Sequence, residues 1–142
     1  MASIRGSHFV IAVSQLERSG AFYRDVLGFA IRENGDPGWR MFVRDGCSII
    51  AGECPDAMPA ATLGDHSYFA YLVVDDADSF YERAMAAQVE IVKAIANEPW
   101  GMREFGLRTV DGHRMMIGQD LSVPRRTDPL MSVLPVLMPA EL

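Results

Sequence analysis

Basic charge, cysteine and long apolar runs are all scarce in this chain. Thirteen Lys and Arg against nineteen Asp and Glu leave a formal net charge of -6 over 142 residues. A chain of that sign lacks the basic footprint that phosphate backbones require, so a nucleic-acid partner is not expected. Two cysteines, Cys47 and Cys54, are too few for a disulfide framework, and Cys47 lies in an apolar run as a small hydrophobe. No segment approaches the ~18 consecutive apolar residues of a membrane span. The opening Met1-Ala2-Ser3-Ile4-Arg5-Gly6 has no apolar stretch of the signal-peptide kind. A reduced, cytoplasmic location is the expectation. There is no Cys-x-x-Cys, no glycine-rich phosphate loop and no spacing that supports a Ser-His-Asp triad. The apolar fraction of 49% with 23% charged residues suits an ordinary globular domain.

What the chain does have, it has twice. Asp45-Gly46-Cys47-Ser48-Ile49-Ile50-Ala51-Gly52 and Asp111-Gly112-His113-Arg114-Met115-Met116-Ile117-Gly118 share one template: Asp-Gly, two variable residues, three apolar residues, Gly. Upstream, Phe22-Tyr23 and Phe80-Tyr81 each sit in an amphipathic stretch that follows an apolar run. A duplicated unit of roughly 60 residues accounts for both echoes.

Each unit reads as strand, helix and three strands. In the first, His8 to Val13 is a strand, and Ser14 with Glu17 three residues later forms a capping box. Leu16, Phe22, Tyr23, Val26 and Leu27 make one helical stripe, which Gly28 ends. Phe29 to Glu33 is a strand. Trp39 to Arg44 and Cys47 to Ala51 flank the Asp45-Gly46 turn as a hairpin. In the second, Tyr68 to Val74 precedes a helix opened by Asp75-Asp76, with Ala77, Phe80, Tyr81, Ala84 and Ala87 on its inner stripe. Val89 to Ile95, Glu104 to Val110 and His113 to Ile117 complete the unit.

The fold expectation is therefore α+β: two βαβββ modules, about 7–53 and 66–119, forming a curved sheet with a cleft inside one domain, 7–119. Residues 120–142 form a tail that is apolar and proline-rich. That tail is expected to lie along a partner subunit, over the cleft mouth or in the cleft itself.

The doubled βαβββ pattern, the segment Phe22-Tyr23-Arg24-Asp25-Val26-Leu27-Gly28-Phe29 and the late Asp-Gly-His hairpin resemble the vicinal oxygen chelate superfamily. That group spans glyoxalase I, extradiol dioxygenases and fosfomycin- and bleomycin-resistance proteins. Glu98-Pro99-Trp100-Gly101-Met102-Arg103-Glu104-Phe105 is similar to a stretch of the bleomycin-resistance branch. The resemblance covers about residues 7–119.

Metal-dependent members of that superfamily carry four His or Glu ligands, one on the first and one on the last strand of each half. By strand register the resemblance puts these positions at His8, Ile50 (or Ala51, one residue on), Phe69 and Met116. Three of the four are apolar and unsuited to a hard divalent ion. A second register, counted from the Phe-Tyr pairs, matches His8 with His66. The strand register is preferred because entry loops change length more easily than strands.

The resemblance thus implies a binding protein without metal or cofactor, and no catalytic residue is assigned. Trp39 and Trp100 would flank a flat, possibly cationic ligand, with Met102, Glu104, Phe69 and Met116 beside them. Stacking on such a ligand is sensible physics for two tryptophans at the cleft rims. Arg103 and Glu104 point to opposite faces of their strand, and sequence parity does not say which faces the cleft. Glu104 is expected in an ion pair with an arginine of the scaffold or with a cationic ligand. The partners implied are a small molecule and a second copy of the chain, in the manner of antibiotic-resistance homodimers. The alternative is a metal-dependent lyase, isomerase or dioxygenase using His8, His66 and a displaced Glu with Mn, Fe, Ni or Zn.

Overall fold

The computed structural model describes residues 2–124; the expectations for the tail fall largely outside them. Two modules follow one another along the chain. The first is β1 (Phe9–Val13), α1 (Leu16–Asp25), β2 (Ala30–Glu33), β3 (Trp39–Arg44) and β4 (Cys47–Glu53). The second is β5 (Tyr68–Val73), α2 (Ala77–Ala86), β6 (Glu90–Asn97), β7 (Met102–Arg108) and β8 (Arg114–Asp120). A short 3-10 turn, Ala60–Thr62, lies between them. The two sheets repeat one order, β1-β4-β3-β2 and β5-β8-β7-β6. In each, the outermost pair, β1 with β4 and β5 with β8, is parallel, and the rest is antiparallel. This is the two-module α+β arrangement that the duplicated template predicts. Among the described residues no helix is long and apolar enough to cross a membrane.

Alternation along the strands separates two faces. Ile11, Val13, Phe42, Ile49 and Ala51 point to the helix side in the first module, and Phe105, Leu107, Met115 and Ile117 do so in the second; all are buried. They join Tyr23, Leu27 and Ala84 in one core cluster that draws on both halves. The seam between the modules is made by specific contacts. Phe9 meets Phe69 edge to face at 5.9 Å. The Ser19 hydroxyl lies 2.7–2.8 Å from both carboxylate oxygens of Asp111. Arg83 donates to the Asp25 carbonyl, and the Arg44 guanidinium sits 4.8 Å over the Phe80 ring. The two modules of one chain therefore pack against each other.

Two helix ends show how local signals fared. Gly28 ends α1 in the left-handed region at φ 76°, and the amides of Gly28 and Phe29 return to the carbonyls of Arg24 and Tyr23. At the other end the expected Ser14–Glu17 capping box does not form. The cap residue is Gln15, without a side-chain bond of its own. The amide of Leu16 instead donates to Glu53 Oε2 at 3.0 Å, from the end of β4. The second module repeats this device: the amide of Ala77 donates to Gln119 Oε1 at 3.0 Å, and Asp76, one of the two acidic residues expected to open the helix, accepts from the Ser79 amide. Glu53 and Gln119 each directly follow the last glycine of the template. The duplicated unit thus extends one residue further than its apolar pattern showed, to a side chain that satisfies an orphan amide at a helix start.

Candidate functional site

The faces turned away from the helices carry the candidate residues. On the first sheet, register places Trp39 opposite Gly52, Met41 opposite Ile50, and Val10 beside Ile50. The Trp39 ring lies flat against the backbone of Gly52: a Cβ there would meet its ring carbons at 2.7–2.9 Å. On the second sheet, Tyr71 pairs with Met116, Val73 with Gly118, and Glu104 with Gly118. Tyr71 leans over Gly118, whose missing Cβ makes the same kind of room; it would meet Tyr71 Cζ at 2.7 Å. The last glycine of the template is therefore, in both halves, the floor beneath an aromatic ring. Only glycine permits so close an approach to the strand.

Glu104 is the centre of the second face. The register sets it on the open side and Arg103 on the helix side, where Arg103 pairs with Asp78 at 2.8 Å. This resolves the strand parity. It also replaces the expected arginine partner of Glu104. The Tyr71 hydroxyl donates to Glu104 Oε1 at 2.7 Å, and Trp100 Nε1 donates to the same oxygen at 3.0 Å. Lys93 Nζ stands 3.4 Å from Oε2 and 3.5 Å from a Glu98 oxygen. Glu104 is only 3% exposed. Burial pushes its carboxyl up, but the Trp100 and Tyr71 hydrogen bonds and the Lys93 charge outweigh it and hold the group below the usual carboxylate range. The Tyr71 hydroxyl moves the other way, raised by burial and then by its bond to Glu104.

Trp100 sits in the turn between β6 and β7. The left-handed Gly101 (φ 86°) and the bond from Glu98 N to the Met102 carbonyl shape that turn. With its Nε1 tied down, Trp100 is still 63% exposed as a residue. A fixed and exposed indole is a stacking platform. Met116 lies in the same face: its sulfur and the Tyr68 hydroxyl both come within 3.2 Å of where a Gly106 Cβ would stand. Met102 is at the far end of the face, opposite Asp120.

Phe69 departs from its expected place. A register shift between Tyr68 and Ala70 breaks the alternation of β5. Tyr68 takes the position over Gly106, while Phe69 packs at the seam against Phe9 and, at 5.5 Å, against His113. Trp39 and Trp100 belong to different sheets, and each has its own supports. Tyr71, Tyr68 and Lys93 were missed from sequence. The only available signal was the repeated glycine, which marks where a ring can lie.

The donors for a metal are scattered. The pairing of Ala12 with Gly52 and of Val73 with Gly118 favours the strand register over the match of His8 with His66, although the shift at Tyr68/Ala70 brings Tyr68 as well as Phe69 to the level of His8. His8 is exposed just ahead of β1, and His66 is exposed in the turn before β5 at φ 73°. Glu53 is engaged by Leu16 and Glu104 by Tyr71, Trp100 and Lys93. Among the described residues no three of His, Cys, Asp and Glu gather as a metal site would require. The residues at the implied positions do not fit the ion.

A cavity of about 380 Å³ opens at the seam, between the β3–β4 hairpin and β5 with α2. Arg44, Cys47, Ser48, Tyr71, Val73 and Phe80 are among its walls, so it adjoins the second face through Tyr71, and neither tryptophan lines it.

The architecture is shared widely. TnmS3, an antibiotic binding protein from Streptomyces sp. CB03234, superposes with a TM-score of 0.69 at 23% identity, over 84% of this chain and 98% of its own. The bleomycin resistance determinant encoded on the transposon Tn5 gives 0.67 at 22% identity, over 82% and 98%. Lactoylglutathione lyase from Agrobacterium tumefaciens gives 0.63 at 15% identity, over 86% and 96%. No match is found among curated proteins. At these identities the likenesses establish the fold alone. The family model of the Glyoxalase/Bleomycin resistance protein/Dioxygenase superfamily matches residues 5–117, and the chain belongs to that superfamily.

Proposed function

We propose that this protein binds a planar small molecule by stacking it on the aromatic side chains of its open faces, with no metal and no bond broken. The observation that carries this reading is the Tyr71–Trp100 pair, both tied to one oxygen of Glu104, with the indole face of Trp100 open. Trp39 over Gly52 offers a second ring on the other sheet. Each stacked ring adds about 0.5–1.5 kcal/mol beyond its area burial.

The open faces also expose Val10 (65%) and Val73 (69%). Apolar side chains of this kind on both sheets suit a homodimer in which Trp39 of one copy stands opposite Trp100 of the other. TnmS3 is named an antibiotic binding protein and the Tn5 protein a bleomycin resistance determinant; the role proposed for this chain is to hold such a toxic compound out of solution.

Titration with bleomycin-class compounds, read by tryptophan fluorescence and calorimetry, tests the proposal. Saturable quenching that weakens in Trp39→Ala and Trp100→Ala is expected. Absence of both quenching and heat would refute the drug-binding reading. A stoichiometric divalent metal carried through purification, with turnover, would refute the metal-free one.

A further inference from the structure

The open face of the second sheet carries a buried carboxylate, and a buried carboxylate beside an exposed indole invites the reading that it attracts a cation. The hydrogen bonds say otherwise. Glu104 Oε1 already accepts from Tyr71 at 2.7 Å and from Trp100 at 3.0 Å, and Oε2 faces Lys93 at 3.4 Å. Both oxygens are engaged, and the lysine opposes the charge. A ligand seated on Trp100 would meet the ring and not the carboxylate, which is 3% exposed.

We propose that Glu104 is a positioning residue: it sets the planes of Tyr71 and Trp100, and the face they form selects a ligand for flatness and not for charge. This rests on the stacking reading above and narrows its ligand class to planar aromatic groups, neutral or cationic. One shared acceptor fixes two rings in relation to each other. The Tyr71 ring is further held by Gly118, where a Cβ would strike Cζ at 2.7 Å and Cε1 at 2.9 Å. Gly101 in the left-handed region (φ 86°) shapes the turn from which the indole projects. Rings immobilised before the ligand arrives lose little further freedom on binding, which is how a fixed pair gains affinity. A cation keeps only the attraction of the ring faces, about two- to fivefold over a neutral ring of equal size.

The test uses two tricyclic probes of similar shape, proflavine (cationic at neutral pH) and acridone (neutral). It compares the wild type with Glu104→Gln, which keeps an acceptor for both donors, and with Glu104→Leu, which does not. The expected result is that Glu104→Gln leaves the ratio of the two affinities unchanged. Glu104→Leu should weaken both probes together, by about 2- to 12-fold for each ring released. A selective loss of proflavine in Glu104→Gln would overturn the proposal, since it would make Glu104 the charge partner of the ligand. A ligand-free arm separates this from the stacking reading. In a Trp39→Phe background the remaining emission is that of Trp100. Its anisotropy should persist in Glu104→Gln and fall in Glu104→Leu, and unchanged anisotropy in the leucine variant would overturn the positioning role even if neither probe binds. Should Glu104→Leu fail to fold, Tyr71→Phe removes one of the two donors. Both probes should then weaken together, and an unchanged affinity for both would overturn the shared-anchor argument.

Discussion

Replacing Gly118 by Ala should unsettle a tyrosine on a different strand. The added Cβ would lie 2.7 Å from Tyr71 Cζ and 2.9 Å from Cε1, against the ~3.5–4.0 Å of a relaxed carbon contact. The ring must withdraw by about 1 Å, and because Tyr71 is exposed it can do so toward solvent. Withdrawal breaks its bond to Glu104 Oε1. A hydrogen bond to a charged group contributes about 1.5–3 kcal/mol, less where water can replace the lost partner. Against this, Gly→Ala at a position without a left-handed φ stiffens the unfolded chain and returns about 0.4–1 kcal/mol. The net expectation is a loss of about 1 kcal/mol. In a Tyr71→Ala background the three atoms nearest that Cβ, all of Tyr71, are gone, so the same substitution should stabilise by about 0.4–1 kcal/mol. Urea unfolding followed by far-UV circular dichroism, across all four combinations, reads this change of sign. An equal loss from Gly118→Ala in both backgrounds would refute the idea that the glycine is there to seat the ring.

Four further outcomes follow from the geometry. Glu53→Ala removes the acceptor of the Leu16 amide and should cost about 0.5–2 kcal/mol, the range of a lost N-cap, with faster hydrogen exchange at Leu16; Glu53→Gln, which copies Gln119, should retain most of it. Asp111→Ala should cost about 1.5–3 kcal/mol, because its 3%-exposed carboxylate receives the Ser19 hydroxyl across the seam. Asp45→Ala, the same template position at 91% exposure, should stay within about 0.5 kcal/mol in the same denaturation assay. Burial lowers the pKa of His113, partly opposed by Asp111. The unfolded chain therefore takes up this proton first, so the His113 contribution is present above about pH 6.5 and is lost as pH falls toward the folded pKa. His113→Leu should flatten the pH dependence of stability between neutrality and pH 5, and an unchanged slope would count against it.

The strands, the helices and their order were legible because their signals are local. Period-two alternation, a glycine able to adopt φ 76° at position 28 and Asp-Gly turns act over a few residues. Boundaries moved slightly: β6 runs Glu90–Asn97 and β7 starts at Met102. The start of α1 misled because Ser14 and Glu17 satisfy a local rule, whereas its first amide is met by a residue 37 positions away. Phe69 misled for a related reason. A strand keeps its parity only while its ladder is regular, and the shift at Tyr68/Ala70 exchanges which aromatic faces outward.

By itself the sequence determined that one βαβββ unit occurs twice and that an Asp-Gly hairpin joins two neighbouring strands in each copy. Only the tertiary structure decided what the template glycines are for and which side of β7 carries Glu104. It also brought Tyr71, Lys93 and Trp100 to that one carboxylate. The physical reason is that side-chain direction follows from each strand's own periodicity, but the partner it meets follows from register with another strand. Register is set by the packing of the whole sheet.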